Sequence, residues 1–467
     1  MPFLSLALEA RPQGQALADA AGTVSYTELR CQAEEVGRRL VTAGLRPGDL
    51  VAVKGTLDRD FVATLHGVWM AGGIVAPMST RWTPFEEQQA LHLLRPRMSY
   101  PPPLRATRGH ETRRPENFHF KLELPPLSAS APSPSALPGL RGGDTAAVLL
   151  TSGTSGSPRA VGLTAGNLMA SARASRERLG LAPSDRWLGS LSPAHVGGLA
   201  LLTRAAALGS GVVLRGAFRA ETFLALAEEG AITHASLVPT MLHQVLAALG
   251  KGRAPPSLRC VLLGGAPAPE ALLAEALAAG FPMALTYGLT EASSQVATAE
   301  PDLVLRKPGT VGAPLPGVEV SVAEEGELLV RGPTVAPGLA DGDGWLRTGD
   351  LARMDGDGHL WIVGRASDRI ISGGVKVDPA EVEAVLSGHP GVLEAAVVGL
   401  PDPEWGERVV AAVVFVHGRG PSEAELGEKV RAALSAAKWP RAWRFVEALP
   451  RNATGKVDRE GVRALFR

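Results

Sequence analysis

Short apolar runs alternate along the chain with alanine-rich stretches whose apolar residues recur at helical spacing. The clearest runs are VAVK (51–54), AAVLL (146–150), GVVL (211–214) and CVLLGG (260–265). Apolar runs of this length are typical of strands that are buried on both faces, as in a parallel sheet covered by helices. The pattern therefore predicts an α/β protein with a largely buried sheet.

The segment 95–143 breaks this pattern. It is rich in proline, serine and arginine, as in SYPPPLRATRGHETRRPE and LSASAPSPSALPGLRGGD, and it has little periodicity. Such a composition cannot bury enough apolar surface to offset the cost of ordering the backbone. We expect an irregular or partly disordered insert here.

The C-terminal part of the chain shows a different order of elements. GELLVRG (326–332) and GHLWIVGR (358–365) are predicted strands. They are followed by a predicted helix start, with Asp378 as the cap, Pro379 at the first helical position and Glu381 completing an acidic variant of the capping box. This arrangement predicts a helix beginning at residue 379.

After this helix, GVLEAAVVGL and RVVAAVVFV are predicted strands, and EAELGEKVRAALSAA (423–437) is a predicted helix. The βαββα-like order indicates a small α+β domain of its own. We therefore predict an N-terminal domain at 1–365, a hinge at 366–368 and a C-terminal domain at 369–467.

Length, charge and cysteine usage narrow the function classes. The chain has 467 residues, more than a single compact core normally holds, and its formal net charge is zero, which gives no support for a nucleic-acid partner. The only two cysteines, Cys31 and Cys260, are far apart and have no metal-ligand spacing. The N-terminal stretch MPFLSLALEARPQG does not have the pattern of a secretory signal, and no apolar run reaches the length of a membrane span. We expect a soluble, cytoplasmic protein without a membrane partner.

The stretch TSGTSGSPRA (151–160) combines hydroxyl side chains with two closely spaced glycines. Glycines let the backbone approach a ligand, and hydroxyl and N–H groups suit anionic oxygens, so phosphate is the first candidate ligand. A Walker A loop is excluded because Gly153 and Gly156 are too close together and the nearby cation is Arg159. The alternative is a solvated turn between two elements.

Three later stretches have a similar chemical character. They are YGLTEASSQ (287–295), the segment from Asp350 to Arg365, and PRNATGK with Lys456. Each alone is a common solvated loop. Together and in this order they resemble the acyl-adenylate-forming superfamily of acyl-CoA synthetases, peptide-synthetase adenylation domains and luciferases. The resemblance implies a large N-terminal domain of packed α/β subdomains with a small, mobile C-terminal α+β domain.

The resemblance also implies a two-step reaction that uses ATP, Mg²⁺ and coenzyme A. A carboxylic acid joins the α-phosphate of ATP, pyrophosphate leaves, and the CoA thiol attacks the acyl-adenylate. The implied catalytic residues are Lys456, which would neutralise the two reacting anions, together with Thr290 and His195. Glu291 would bind Mg²⁺. The implied nucleotide contacts are Thr151, Ser152, Gly153, Thr154, Ser155, Gly156, Arg159, Gly265, Ala266, Pro267, Tyr287, Gly288, Asp350 and Arg365.

Within this set, Thr151 and Thr290 would hold phosphate oxygens, and Asp350 with Arg365 would hold the ribose. Tyr287 would lie against the adenine, or else be an ordinary core aromatic. Gly373 and Gly374 would lie where the pantetheine arm of CoA enters.

The chain departs from the family pattern at three positions. Arg159 and Ala160 stand where lysine and glycine are usual, and Ser367 stands where relatives carry Asp or Lys as the pivot of the small domain. The arginine keeps the charge of the lysine but lacks its compact ammonium group.

The acid is indicated by LSPAHVGGLALLTRAAALGSGVVL (191–214) and YGLTEASSQVAT. These stretches most closely resemble the o-succinylbenzoate–CoA ligases of menaquinone synthesis. The resemblance implies His195 at the mouth of the acyl pocket and Ser294 as a substrate contact. Arg204 lies in an apolar, helix-like run, where a second substrate carboxylate would supply its partner. The alternatives are a core histidine at position 195, and an Arg204 that faces solvent or bonds an internal acid.

Other functions stay open at this point. The protein could be a benzoate-type or medium-chain acyl-CoA ligase, a non-ligase adenylate-binding protein, or a free-standing loader of carrier proteins. The sequence also leaves the oligomeric state open, homo-oligomers included.

Overall fold

The computed structural model describes residues 3–100, 132–152, 158–416, 420–451 and 456–467. Its helices there are α1 (Phe3–Ala10), α2 (Tyr26–Thr42), α3 (Arg59–Met70), α4 (Pro84–Leu94), α5 (Ala165–Leu179), α6 (Val196–Leu208), α7 (Ala220–Glu228), α8 (Pro239–Leu249), α9 (Glu270–Ala278), α10 (Pro301–Arg306), α11 (Pro379–Ser387), α12 (Glu423–Ala433) and α13 (Arg459–Ala464).

The strands of the N-terminal part are β1 (Gln15–Asp19), β2 (Gly22–Ser25), β3 (Leu50–Lys54), β4 (Ile74–Met78), β5 (Met98–Tyr100), β6 (Thr145–Ser152), β7 (Pro158–Thr164), β8 (Arg186–Leu188), β9 (Gly211–Val213), β10 (His234–Leu237), β11 (Cys260–Leu263), β12 (Met283–Leu289) and β13 (Ser294–Ala299). The later strands are β14 (Glu319–Val322), β15 (Glu327–Arg331), β16 (Leu346–Met354), β17 (Leu360–Arg365), β18 (Ile370–Ser372), β19 (Val375–Val377), β20 (Val392–Asp402), β21 (Gly406–Phe415) and β22 (Ala442–Phe445).

Two largely parallel sheets form the N-terminal part. The larger has the order β13-β12-β11-β10-β8-β9-β1-β2, parallel from β12 to β1 and antiparallel at both edges. The smaller has the order β5-β3-β4-β6-β7, with the β6–β7 pair antiparallel. This confirms the predicted α/β class with largely parallel sheets.

Successive residues of one strand show why the larger sheet is so apolar. In β11, Cys260 and Leu262 belong to one hydrophobic cluster, whereas Val261 and Leu263 belong to another. Because successive side chains of a strand point to opposite faces, both faces of this sheet are covered. One cluster includes residues of α5 and α6, and the other includes residues of α7 to α10.

Two smaller sheets follow. The strands β14-β15-β16-β17 form an antiparallel sheet. The strands β19-β18-β21-β20, with β22 parallel to β21, form the sheet of the C-terminal part. Helices α11 and α12 pack on that sheet around Val382, Leu386, Leu426 and Val430, which agrees with the predicted α+β unit.

Three local predictions need correction. Met98–Tyr100 lies in the segment predicted to be irregular, yet it pairs with β3, while residues 101–131 of that segment lie outside the described residues. The helix α12 ends at Ala433 rather than at residue 437. Helix α11 does begin at Pro379, but Asp378 makes no side-chain cap, because its carboxylate accepts a hydrogen bond from Arg369 Nε at 2.8 Å.

Lys307, which directly follows α10, contacts polar side chains of the turn between β16 and β17. Lys307 Nζ donates to Asp355 Oδ2 at 2.6 Å and to Asp357 Oδ2 at 2.5 Å, and it lies 3.1 Å from His359 Nδ1. The hydrogen bond from Lys307 holds the pKa of Asp355 below its usual range. Asp355, Asp357 and His359 are residue types that can bind a metal ion, but the ammonium group of Lys307 already lies among them.

Within the ranges given above, no helix is both long enough and apolar enough to cross a bilayer.

Candidate active site

The carboxyl ends of the parallel strands β10, β11 and β12 meet at one edge of the larger sheet. The segment after β11 stays close to its neighbours: Gly264 N donates to Leu237 O at 3.2 Å, and a Cβ at position 264 would lie 2.7 Å from Thr286 Cγ2. The next residues, Gly265, Ala266 and Pro267, are exposed. Ligands of open α/β sheets bind at this kind of edge, so these three predicted nucleotide contacts are accessible.

A hydrogen-bonded chain, which we call the Asp350 cluster, links Tyr287, Asp350 and Arg365. Tyr287 Oη donates to Asp350 Oδ2 at 2.6 Å, and Arg365 Nε donates to Asp350 Oδ1 at 2.7 Å. Asp350 is only 5% exposed. Burial and then the negative charge of Asp350 raise the pKa of Tyr287, so its hydroxyl stays a donor at neutral pH.

The pairing of two strands and the packing of Tyr287 explain this chain of contacts. The antiparallel strands β16 and β17 pair Asp350 directly with Arg365, although fifteen residues separate them. Tyr287 comes from β12, in the larger sheet, and its ring is packed in the hydrophobic cluster beside Leu328 and Leu346. Tyr287 is therefore a core aromatic with a bonded hydroxyl, and its contact with adenine stays a prediction.

The β12–β13 connection is unusually tight. A Cβ at Gly288 would lie 1.9 Å from Ser294 O, so no other residue fits without moving the backbone. Ser293 and Ser294 have φ of 56° and 103°, values that side-chain-bearing residues rarely adopt. Strain of this kind is concentrated at functional sites. Within this connection, the 3₁₀ segment Thr290–Ala292, which carries Glu291, contacts strand β7 of the hairpin β6–β7.

The hairpin β6–β7 carries the predicted phosphate loop at its tip. Thr151 pairs with Arg159, and Thr151 Oγ1 donates to Arg159 O at 3.3 Å. Arg159 is exposed. The predicted contacts Gly153, Thr154, Ser155 and Gly156 lie outside the described residues, as does the side chain of Ser152.

Lys456 comes from the C-terminal part and reaches the same region. It directly precedes Val457, which forms a short antiparallel bridge with Arg451, and it lies within electrostatic range of Arg365, Asp350 and Glu291. Its side chain has solvent-accessible surface, yet the walls of the cleft lower its pKa by desolvation, and the charge of Arg365 adds to this effect. Lys456 and Glu291 are 165 positions apart in the chain, and the fold brings them together.

His195 is the N-cap residue of α6 and lies on the same cleft. Burial lowers its pKa, and the charges of Lys456 and Arg81 lower it further, so the neutral imidazole is favoured at pH 7. The sequence analysis missed Arg81, an exposed residue just after β4. Its position at the carboxyl end of a parallel strand is the signal that would have found it.

Arg204 is held inside the protein, in what we call the Arg204 cluster. Its side chain is 4% exposed, its Nη1 donates to Ser175 Oγ and to Gln295 Oε1 at 3.0 Å, and its guanidinium carbon lies 4.2 Å from the Trp187 ring centroid. In the described part of the chain, Arg204 forms no salt bridge and its Nε has no partner. Burial lowers the pKa of Arg204 to about 10.

Arg204 bonds within the protein, as one of the alternatives expected. Its hydrogen-bond partners, however, are neutral rather than acidic. The predicted role of Arg204 toward a substrate carboxylate therefore remains a prediction. Ser294 adjoins Gln295 and is half-buried, so the Arg204 cluster ends one residue from a predicted substrate contact.

The predicted CoA-facing glycines form the turn between β18 and β19. Gly373 has φ 58° and Gly374 has φ 78°, and both are exposed. Gly373 N donates to Trp405 O at 2.8 Å, and a Cβ at Gly373 would lie 3.0 Å from the Trp405 ring. Ser367, the predicted pivot position, is exposed in the 3₁₀ turn Ala366–Asp368.

Known proteins share this arrangement over nearly the whole length of the chain. The 2-succinylbenzoate–CoA ligase of Bacillus licheniformis is 34% identical over 477 residues, with 98% of each chain covered. The o-succinylbenzoate CoA synthetase (MenE) of Bacillus subtilis, in complex with the acyl-adenylate intermediate OSB-AMP, has a TM-score of 0.87 at 31% identity, covering 99% of this chain and 98% of that one. The same enzyme is also known in complex with ATP and magnesium ion, with a TM-score of 0.87 at 31% identity, covering 99% of both chains.

A further structure of the B. subtilis enzyme allows the overall arrangement of the present chain to be compared with two complexes of that enzyme. A double mutant bound to the product analogue OSB-NCoA matches with a TM-score of 0.71, at the same 31% identity and with the same coverage as the OSB-AMP complex. The present chain therefore has an overall arrangement closer to that of the acyl-adenylate complex.

Two family models match the chain, one on each side of the 3₁₀ turn at 366–368. Residues 5–340 match the AMP-binding enzyme model, and residues 381–456 match the model of the AMP-binding enzyme C-terminal domain. The exact boundary at 366–368 stays a prediction. With the site geometry and the full-length relatives, these matches establish that the chain belongs to the AMP-binding enzyme family.

Proposed function

We propose that this protein is an ATP-dependent acid–thiol ligase that converts 2-succinylbenzoate to 2-succinylbenzoyl-CoA in menaquinone biosynthesis. The observation that carries the proposal is the meeting of Lys456 with Asp350, Glu291 and His195 in one cleft. A cation between acidic and nucleotide-facing groups is what the joining of two anions requires. The names of the full-length relatives supply the substrate.

In the first step, a carboxylate oxygen of the acid attacks the α-phosphorus of ATP, and the bond to the leaving pyrophosphate breaks. Two anions approach each other in this step, so a positive charge between them lowers the barrier. Lys456 supplies that charge. Thr151 and Thr290 hold phosphate oxygens, with the exposed Arg159 at the same hairpin as a further cation.

The Asp350 cluster holds the ribose. Arg365 and Tyr287 already bond one oxygen each of the Asp350 carboxylate, and each oxygen has a further lone pair for a ribose hydroxyl. Because both bonds come from side chains of the protein itself, the carboxylate is oriented without further ordering cost. Gly265, Ala266, Pro267 and Gly288 line the same edge.

Glu291 fits a magnesium ion. Its carboxylate is half-buried beside the phosphate hairpin and accepts no side-chain hydrogen bond from the described residues, and carboxylate oxygens are the ligands that Mg²⁺ prefers. The ion would neutralise the triphosphate charge. Glu291 also faces Lys456, so the acidic group and the catalytic cation are on the same side of the cleft.

For the acid, His195 and Ser294 are the proposed contacts. Neutral His195 offers a hydrogen bond without adding positive charge beside Lys456. Arg204 is the proposed partner of the second carboxylate of a diacid, because it is buried and forms no salt bridge with the described residues, so its charge attracts that carboxylate.

In the second step, the CoA sulfur attacks the acyl carbon, AMP leaves, and the thiol proton is released. Gly373 and Gly374 are the proposed entry point of the pantetheine arm, because their exposed turn has no side chains to obstruct it.

The test is single-turnover formation of acyl-adenylate and thioester from 2-succinylbenzoate, ATP, Mg²⁺ and CoA. Benzoate and medium-chain acids form the comparison panel. Pyrophosphate release that is highest with 2-succinylbenzoate supports the proposal. Preference for another acid replaces the substrate but keeps the ligase, and adenylate without thioester from any acid excludes the CoA ligase.

A further inference from the structure

Arg459, three residues after Lys456, connects four separate parts of the C-terminal region. Its Nε donates to Asp368 Oδ2 at 2.8 Å, and its Nη1 donates to Glu383 Oε1 at 2.9 Å and to Val397 O at 2.6 Å. Asp368 ends the 3₁₀ turn after β17, Glu383 lies on α11, and Val397 lies on β20. One guanidinium therefore joins the segment that carries Lys456 to the turn, to a helix and to a central strand.

The segment that carries Lys456 is itself fastened close to Arg459. Asp458 N donates to Pro450 O at 2.8 Å, and Asp458 caps the helix α13 that begins at Arg459. Lys456 thus directly precedes a segment that the backbone bonds fix at Val457 and Asp458, and Arg459 fixes that segment to the rest of the unit.

The turn at 366–368 has one anchor at each side. Arg365 is bonded to Asp350 of the N-terminal part, and Asp368 is bonded to Arg459 of the C-terminal part. Between these anchors lie Ala366 and Ser367, and the Ser367 hydroxyl bonds only its neighbour Asp368, at 3.3 Å, among the described residues. A rotation that keeps both ion pairs must therefore be absorbed by backbone dihedrals from Arg365 ψ to Asp368 φ.

We infer that Arg459 is a positioning residue for adenylation, and that its ion pair with Asp368 limits the pivot to residues 366–367. Asp368 moves with the C-terminal unit, so the distance between the pivot and Lys456 stays fixed. Rotation then delivers Lys456 to the same place beside Asp350 and Glu291 in each cycle. The inference rests on the proposed function, because it assigns Lys456 to the first step only.

The experiment measures the two half-reactions separately in single turnovers. Arg459→Leu slows acyl-adenylate formation about a hundredfold, since a misplacement of about 1 Å costs a rate of that order. Thioester formation from supplied acyl-adenylate and CoA changes by less than about threefold, because it does not use Lys456. Arg459→Lys, which keeps the charge but not the fork of donors, recovers part of the adenylation rate.

Arg463→Leu is the matched control. Arg463 lies on the same helix with nearly equal side-chain exposure, 26% against 24%, but it bonds Gly399 O and Glu460 rather than the turn. It leaves both half-reactions within about twofold of the wild type. Thermal unfolding identifies any variant that has lost its fold, and Asp368→Asn, which removes only the charge at the other end of the pair, then takes the place of Arg459→Leu.

A second readout does not depend on the substrate. Amide hydrogen exchange of residues 366–368 and 456–459 is faster in Arg459→Leu than in the wild type, and unchanged in Arg463→Leu. Equal slowing of both half-reactions, or exchange that does not change at residues 366–368, overturns the inference. Failure of the wild type to use any acid overturns the proposed function instead and leaves the exchange comparison valid.

Discussion

The Asp350 cluster and the Arg204 cluster each contain an arginine, but the arginines differ in exposure and in partners: the Arg365 side chain is 45% exposed, whereas Arg204 is buried. Arg365 Nε meets the carboxylate of Asp350 at 2.7 Å, and that carboxylate is itself bonded by Tyr287. Among the described residues, Arg204 donates to two neutral oxygens at 3.0 Å and lies over the ring of Trp187. Arg365 therefore has an ionic partner, whereas Arg204 forms no salt bridge with the described residues.

This difference separates what is general in the site from what is selective. A paired, hydrogen-bonded carboxylate is oriented by the protein itself, and the proposed ribose contact does not depend on which acid is bound. A buried cation without a negative partner is costly, so its retention calls for a compensating interaction. A substrate with a second carboxylate would provide one, and on this ground we predict that Arg204 contributes to the choice of acid.

The largest expected effect comes from removing Lys456, the cation beside the Asp350 cluster. Lys456→Ala lowers the rate of adenylate formation about 10²- to 10³-fold, the usual loss when one charge-stabilising group is removed. It spares thioester formation from a supplied adenylate. Rapid-quench measurements of each half-reaction check this, with Lys438→Ala, a lysine of the same unit that bonds Glu381, as the control. Equal losses in both half-reactions contradict the assignment.

The next effect tests the paired site. Asp350→Asn keeps the shape but removes the charge, so the ribose and Arg365 lose charge-assisted hydrogen bonds of about 1.5–3 kcal/mol each. We expect kcat/KM for ATP to fall more than about tenfold, with KM for the acid unchanged. Asp355→Asn, in the turn between β16 and β17 that contacts Lys307, is the control. Normal kinetics with ATP would place Asp350 outside the site.

A smaller effect tests the unpaired site. Arg204→Leu raises KM for 2-succinylbenzoate about three- to tenfold more than KM for its methyl ester at the non-reacting carboxyl, the size of a charge interaction of about 1 kcal/mol. The ester has no second charge, so it serves as the internal control. Steady-state kinetics with both substrates decides the matter, since an equal change for the two makes Arg204 purely structural.

The smallest effect concerns pH. Desolvation and then Arg365 lower the pKa of Lys456, and the protonated amine is the active form, so adenylation declines as the pH rises through a value below the ordinary 10.5. Arg365→Gln removes the repelling charge and leaves Asp350 unpaired. Both changes raise the pKa, so the alkaline limb of the rate profile moves to higher pH. A shift to lower pH would contradict this electrostatic picture.

The sequence was most informative where short motifs with functional side chains follow one another in a fixed order along the chain. Lys456, Asp350, Arg365 and Glu291 were found because unusual short motifs occur in a fixed order, and the apolar runs predicted the buried strands correctly. Of Asp350 and Arg365, only Arg365 lies on a predicted strand (358–365). The strand β16 that carries Asp350, and so the pairing of the two residues, was not predicted.

Other features depended on contacts between distant segments. The bond from Tyr287 to Asp350 joins two different sheets, and the partners of Arg204 come from α5 and β13. No local pattern predicts such contacts. The capping prediction at Asp378 was wrong for the same reason, because Arg369 competes for its carboxylate.

The contact of Lys307 with the turn between β16 and β17 has a practical consequence for metal assays. Asp355, Asp357 and His359 could be taken for a divalent-cation site, but Lys307 already supplies positive charge to them. Chelating agents should therefore leave the melting temperature of the ligand-free protein unchanged. A requirement for magnesium in turnover can then be attributed to the bound nucleotide rather than to the integrity of this turn.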